Sequence, residues 1–136
     1  MTTTLFLLAL AALGHHTHPV FYDQCTTVTV EGRLDAVQWK NPHVLLDITT
    51  IDGAIYRGEW SPPNALRREG IAEPAVGERV VVVGNPMRDV AAIKAVFPDL
   101  NLEPPTTPVL DVVQIRSATD SWHWARSAAT PKDCKK

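Results

Sequence analysis

The sequence predicts a small all-β barrel domain, and three observations support that prediction. Several short segments alternate apolar and polar residues with a period of two, which is typical of half-buried strands. The chain holds 11 prolines against 7 glycines and has few long helical runs. Its 136 residues, 45% of them hydrophobic and 21% charged, are enough for one packed core and too few for a multi-domain enzyme.

Residues 26–37 are predicted to form the first strand. Val28, Val30 and Leu34 share one face by alternation, whereas the residues between them are mostly polar. Gly32 interrupts the pattern, so we expect a bulge there.

The next two strands form a predicted hairpin. Residues 44–51 alternate in the same way, and residues 54–60 are the return strand. Asp52 and Gly53 lie between them and supply the positive φ angles of a tight turn.

A short helix and two more strands are predicted to follow. Residues 61–70 are typical of a helix that Ser61 caps and Gly70 ends. The valine-rich residues 79–83 predict a buried fourth strand, and residues 90–97 predict a weaker fifth one.

Five strands with one short helix between strands 3 and 4 are the pattern of an OB-like Greek-key barrel. A small open β-sandwich is the alternative. After the fifth strand, residues 98–108 are interpreted as an extended linker and residues 110–115 as an optional edge strand. Residues 117–136 are interpreted as a loose tail, apart from Trp122, His123 and Trp124, where His123 serves as a docking element.

The N-terminus predicts an exported protein. Residues 5–13 are an uninterrupted apolar run, and small residues precede a cut after Gly14, as in a secretory signal peptide. The run is too short to span a bilayer, and it lacks preceding Lys or Arg. An apolar strand or an anchor left in place is the alternative. The predicted division is therefore residues 1–14 as signal peptide, 15–97 as barrel and 98–136 as linker and tail, in a periplasmic or secreted protein without a membrane span in its mature chain.

Export bears on the two cysteines, Cys25 and Cys134. In an oxidising compartment such a pair can form a disulfide, which would close a loop of more than 100 residues. Two unpaired thiols are the alternative, and the sequence does not decide between them.

Several motifs resemble a family of small exported bacterial proteins that is known only as a domain of unknown function. They are a His-His pair at 15–16, the block Trp39-Lys40-Asn41-Pro42-His43, the block at 66–70, and the glycine turns between 77 and 86. The resemblance covers roughly residues 15–97 and implies export and the barrel fold. It lends no established chemistry, and it marks His15, His16 and His43 for attention. Thr17 and Glu78 depart from the family pattern.

The histidines predict a metal site. His15, His16 and His18 lie together at the predicted mature N-terminus, where the α-amine is a further ligand. Imidazole suits copper and zinc, so His43 could complete a site with them, supported by Asp23 or Asp47. The alternatives are N-terminal histidines that touch only solvent and a structural His43 bonded to a backbone carbonyl.

Trp39, Asn41 and Trp60 predict a second kind of site. They flank the second and third strands, a face on which OB barrels often bind ligands by aromatic stacking. Two large residues that close a small barrel are the alternative interpretation.

The net charge of −2 provides no basic field for a phosphate backbone, so we expect no nucleic-acid partner. No Gly-rich phosphate loop, Ser-His-Asp pattern or paired acid/base set is recognisable. The sequence thus favours a binding module with copper or zinc at the N-terminal histidines. The alternatives are a metal-free barrel that binds an envelope protein or small ligand through Trp39 and Trp60, and a copper-dependent redox enzyme built on His15.

Overall fold

The computed structural model describes residues 18–127 and Cys134. The predicted signal peptide and the predicted ligands His15 and His16 lie outside the described residues. Within them the elements are, in chain order, α1 His18–Phe21, β1 Val28–Gln38, β2 Leu45–Thr50, β3 Ile55–Glu59, α2 Pro63–Arg68, β4 Arg79–Pro86, α3 Val90–Val96, β5 Val109–Ser117 and β6 His123–Ala125.

The first five strands close into a barrel. The sheet order is β3-β2-β1-β4-β5-β6, and a further parallel pairing between β3 and β5 closes the circle. This order, with α2 between β3 and β4, is the OB-type arrangement, so the predicted fold class is confirmed. β3 pairs with the start of β5, and β6 pairs with the same edge of β5 further along the strand.

The first strand owes its path to one glycine and one bulge. Burial alternates along β1 as predicted, with Val30 and Leu34 inside. The register with β2 shifts between Leu34 and Ala36, so the bulge lies after Gly32 and not at it. A Cβ on Gly32 would lie 2.4 Å from the Thr49 carbonyl oxygen, so glycine is required for this close approach of the strands.

The predicted hairpin and helix both form. Gly53 has a φ of 88° in the turn between β2 and β3, whereas the positive φ predicted for Asp52 is wrong. Gly70 has a φ of 80° after α2. The predicted cap is wrong in detail, because Pro62 is the N-cap residue of α2 and no side chain caps the helix.

The predicted fifth strand at 90–97 is wrong, since these residues form helix α3. Val90, Ile93 and Phe97 recur at helical spacing, and Ile93 is fully buried. They pack with Phe21 and Leu102 in a second, smaller core beside the barrel. The apolar pattern of residues 90–97 is too short to distinguish a strand from a helix.

The true fifth strand is β5, in the segment predicted to be linker and tail. β5 pairs with β4 along most of its length and with β3 at its start, so it is not an edge strand. β6 and the buried Trp124 also belong to the barrel, so the predicted boundary at residue 97 does not hold. The prolines of residues 98–108 end before β5 begins, and they only separate it from α3.

A disulfide joins Cys25 to Cys134, with 5.3 Å between the two Cα atoms. The pairing that the sequence left open is therefore formed. It ties the segment after α1 to the C-terminal end of the chain. Of the helices in the described residues, none is long and apolar enough to cross a membrane.

Candidate functional site

A cleft of about 300 Å³ opens where β3 and β5 meet. Its wall comes from the α1 segment, from the turn before β2, from the end of β3, from β5 and from the residue that follows β6. The lining residues are His18, Gln24, His43, Glu59, Trp60, Ser61, Pro62, Asp111 and Arg126.

Two buried carboxylates form the base of this cleft. Glu59 and Asp111 are register partners across the parallel pairing that closes the barrel, and they are only 3% and 1% exposed. A buried carboxylate is costly unless hydrogen bonds or opposite charges compensate it. Each of the two is compensated by a different set of neighbours.

Glu59 is held by His43 and Tyr22. His43 Nδ1 lies 2.6 Å from Glu59 Oε1, and the Tyr22 hydroxyl donates to Glu59 Oε2 at 2.5 Å. Burial and the negative charge of Glu59 raise the pKa of Tyr22 well above its ordinary value. Tyr22 therefore remains a neutral donor throughout the physiological range.

Asp111 is held by His18 and Arg126. The guanidinium binds the carboxylate in a bidentate fashion, with both distances 2.8 Å, and His18 Nδ1 lies 3.1 Å from Oδ2. Burial alone would raise the pKa of Asp111, but the hydrogen bonds from His18 and Arg126 outweigh it and lower that pKa. Asp111 is therefore a carboxylate at neutral pH.

Both histidines thus present the same edge to a carboxylate. An ionised carboxylate only accepts hydrogen bonds, so each Nδ1 is the donor, and in a neutral imidazole Nε2 then carries the lone pair. A carboxylate that binds one ring nitrogen of a histidine is the usual support of a metal-ligating imidazole. His18 and His43 are arranged in this way on one cleft.

Within the described residues, the cleft has two imidazoles and no complete ligand set. No group of three or more His, Cys, Asp or Glu within residues 18–127 and Cys134 is arranged to hold a metal ion. The two carboxylates and one guanidinium leave a formal charge of −1 around the cleft when both histidines are neutral. This charge favours a cation over an anion as the first ligand.

The other predicted partners of His43 are not used. Its Nδ1 contacts Glu59 and not a backbone carbonyl, so that interpretation is wrong. Asp47 pairs with Arg57, and Asp23 accepts hydrogen bonds from Thr26 and from the backbone of Cys25. His123 is exposed on β6 and does not line the cleft.

The predicted aromatic face is divided between core and surface. Trp60 is only 2% exposed, and its ring contacts those of Trp39, Trp122 and Trp124 at centroid distances of 5.7–6.3 Å. Trp39 is half-buried on this cluster, and Asn41 is exposed in the turn before β2. Of the three predicted ligand-binding residues, only Trp60 lines the cleft.

Sequence reasoning missed Glu59, Asp111, Tyr22 and Arg126. Asp111 carried the clearest signal, since it is a single carboxylate inside an otherwise apolar segment, Val109 to Val113. Glu59 carries no such signal, since Arg57, Gly58 and Ser61 lie close to it in the sequence. Nothing in the sequence indicates that these two residues become neighbours, because the parallel pairing joins distant segments.

The cleft also holds a serine beside the His43–Glu59 pair. Ser61 follows Trp60, whose backbone N–H donates to the Val44 carbonyl, so the two strands stay paired up to this point. No hydrogen bond joins the Ser61 hydroxyl to His43 among the described contacts.

One family model matches residues 4–94, and its description is "Family of unknown function (DUF6152)". The match covers β1 to β4 and the two histidines of the cleft, but not Asp111 or Arg126. No curated protein matches the chain.

Proposed function

The chain belongs to DUF6152, a family of unknown function, so we propose a function from its own cleft. The protein is an exported β-barrel binding module that holds a copper or zinc ion through His18 and His43. His15 and His16, close to His18 in the chain, are the candidates for the remaining protein ligands. The disulfide is compatible with an oxidising compartment outside the cytoplasm.

A single observation carries this proposal. Two imidazoles from separate parts of the chain line one cleft, and the Nδ1 atom of each lies within 3.1 Å of a buried carboxylate. Such a pair of supports fixes the tautomer and orientation of both rings before any metal binds. Imidazole nitrogen suits copper and zinc better than calcium or magnesium, which prefer oxygen.

The first test is calorimetric titration of the mature protein with Zn(II) and, separately, with Cu(II). We expect one site per chain, and we expect His18→Ala and His43→Ala each to weaken it at least about tenfold. His123→Ala is the matched control, because His123 is exposed on β6 and does not line the cleft. Equal affinities in all three variants would overturn the proposal.

The supports and the N-terminal ligands are tested in the same assay. Glu59→Gln keeps the shape of the side chain but removes its charge, so we expect about a 10- to 100-fold weaker metal site. A double His15→Ala, His16→Ala variant reports whether the N-terminus contributes ligands. If this variant loses all metal binding while His43→Ala loses none, the site is an N-terminal chelate and not the cleft.

A metal-free role is the second candidate, and Trp60 favours it. As a buried aromatic residue on the cleft wall, Trp60 would contact a small ligand without any metal. Failure of both metals to bind in the first test would favour this alternative, in which Trp39 and Trp60 serve a small ligand or an envelope partner.

A further inference from the structure

This inference rests on the proposed metal site and names a second ligand for it. We propose that the cleft binds a small oxyanion, such as a carboxylate or sulfate, beside the metal. The indole N–H of Trp60 donates a hydrogen bond to this anion. The module is therefore a receptor for a metal–anion pair and not for the bare ion.

The first support is an unpartnered donor. Trp60 Nε1 is buried, and within the described residues it has no hydrogen-bond partner. Two neighbours in the same cluster are satisfied, since Trp122 donates to Glu78 at 2.7 Å and Trp124 donates to Glu69 at 2.5 Å. Buried N–H groups in folded proteins almost always have a hydrogen-bond acceptor. We therefore expect a ligand to accept a hydrogen bond from the Trp60 indole. Trp60 lines the cleft, which is where a ligand can supply it.

The second support is the hydrogen-bonding balance of the wall. Glu59 and Asp111 already accept bonds from Tyr22, His43, His18 and Arg126. Arg126 has five N–H groups, and the described contacts use three, two to Asp111 and one to the Val112 carbonyl. The groups of the cleft that still lack a partner are therefore mainly N–H donors, on Arg126 and Trp60. Such donors suit a ligand with acceptor oxygens.

The third support is size. A cleft of about 300 Å³ is far larger than one water molecule, which takes up about 30 Å³ in the liquid. It lies at the lower limit of small-molecule sites, which run from about 300 to 1,000 Å³. A metal held by two histidines leaves room for a ligand of several atoms.

Charge makes the two ligands cooperative. The formal charge of the cleft is −1 without metal, which disfavours an anion, and a divalent ion at His18 and His43 reverses its sign. The metal therefore raises the affinity for the anion, and the anion must raise the affinity for the metal by the same factor.

The test follows the indole N–H signals of 15N-labelled mature protein by NMR, with zinc and without it. Acetate and sulfate are the probes, and Trp60→Phe assigns the Trp60 signal. We expect this signal to move downfield saturably, at concentrations at least about tenfold lower with zinc. The Trp122 and Trp124 signals are internal controls, because their acceptors are Glu78 and Glu69. If Trp60→Phe fails to fold, single Phe variants of Trp39, Trp122 and Trp124 assign their own signals, and the remaining indole signal belongs to Trp60.

Each other outcome overturns the inference. An unmoved Trp60 signal in a sample that binds zinc by calorimetry removes the anion site and leaves the proposed metal function intact. A shift of equal size at equal concentration with and without zinc removes the cooperative pair. If calorimetry shows no zinc site, the proposed function itself has failed, and the two failures remain distinguishable.

Discussion

The two imidazole–carboxylate pairs of the cleft look alike but are built differently. His43 and Glu59 belong to neighbouring paired segments around one hairpin, and the third member, Tyr22, is neutral. His18 and Asp111 are 93 residues apart in the chain, and the third member, Arg126, is a cation. The hairpin half, His43 with Glu59, is thus formed within the barrel, and its third member Tyr22 reaches it from the segment after α1. The His18 half brings together the α1 segment, β5 and the residue after β6. Its geometry therefore depends more on the disulfide that joins Cys25 to Cys134.

The largest effect on this comparison comes from the disulfide. We expect Cys25→Ser with Cys134→Ser to lower the free energy of unfolding by about 4 kcal/mol, because the crosslink closes a loop with a sequence separation of 109. Urea unfolding measures the loss. Amide hydrogen exchange should rise more in α1, next to His18, than in β3, next to Glu59. A loss below about 1 kcal/mol, or equal exchange in both halves, contradicts the assembled character of the His18 half.

The next effect separates the two carboxylates. Asp111→Asn leaves the Arg126 guanidinium without its counter-charge, so we expect a loss of about 3 kcal/mol. Glu59→Gln keeps a neutral neighbour in Tyr22, and we expect only about 1–2 kcal/mol. Both values come from urea unfolding of the metal-free protein.

Asp47→Asn is the matched control for this pair of variants. It breaks the Arg57 pair, whose side chains are 22% and 30% exposed, and we expect less than about 1 kcal/mol. Equal losses for Asp111→Asn and Asp47→Asn would show that burial does not decide the cost.

A smaller effect concerns Tyr22, the third member of the hairpin half. Tyr22→Phe removes the hydroxyl that donates to Glu59, and the buried carboxylate loses one of its two partners. We expect a loss of about 1–2 kcal/mol in thermal or urea unfolding. Tyr56→Phe is the control, because no described hydrogen bond involves the Tyr56 hydroxyl. If the two variants are equally stable, the Tyr22 hydroxyl contributes nothing measurable.

The contrast also explains what the sequence could predict. The hairpin half follows from local rules, since alternation and the Asp52–Gly53 turn predict β2 and β3, and the block at 39–43 drew attention to His43. Glu59 could not be predicted as its partner, because a hydrogen bond between Glu59 and His43 depends on the direction of both side chains. The fold class was predicted correctly with five strands, although one of the five was placed at residues 90–97, which form α3, and not at β5.

The other half could not be predicted in the same way. The proline-rich residues 98–108 and the polar start of the tail obscured β5 and β6, and α3 was taken for the fifth strand. Both errors are short-range judgements that tertiary contacts override. Asp111 and Arg126 reach the cleft only because β5 closes the barrel against β3, a long-range pairing that no local pattern encodes.

The smallest effect is a dependence on acidic pH, which Asp111 contributes to the His18 half. The pKa of Asp111 lies below its ordinary value of 3.8 in the folded protein, so its ionised form stabilises the fold at every pH above 3.8. That contribution is lost as the pH falls below 3.8 through the folded pKa.

Asp23, Asp35 and Asp52 also have lowered pKa values, so the wild-type curve alone cannot isolate Asp111. The difference in unfolding free energy between wild type and Asp111→Asn does isolate it. We expect this difference to be constant above about pH 5 and to shrink below pH 3.8, by at most about 1.4 kcal/mol per pH unit. The difference between wild type and the double cysteine variant is the control, since a disulfide does not titrate. A gap for Asp111→Asn that stays constant down to pH 2 would mean that Asp111 is not the charged partner of Arg126.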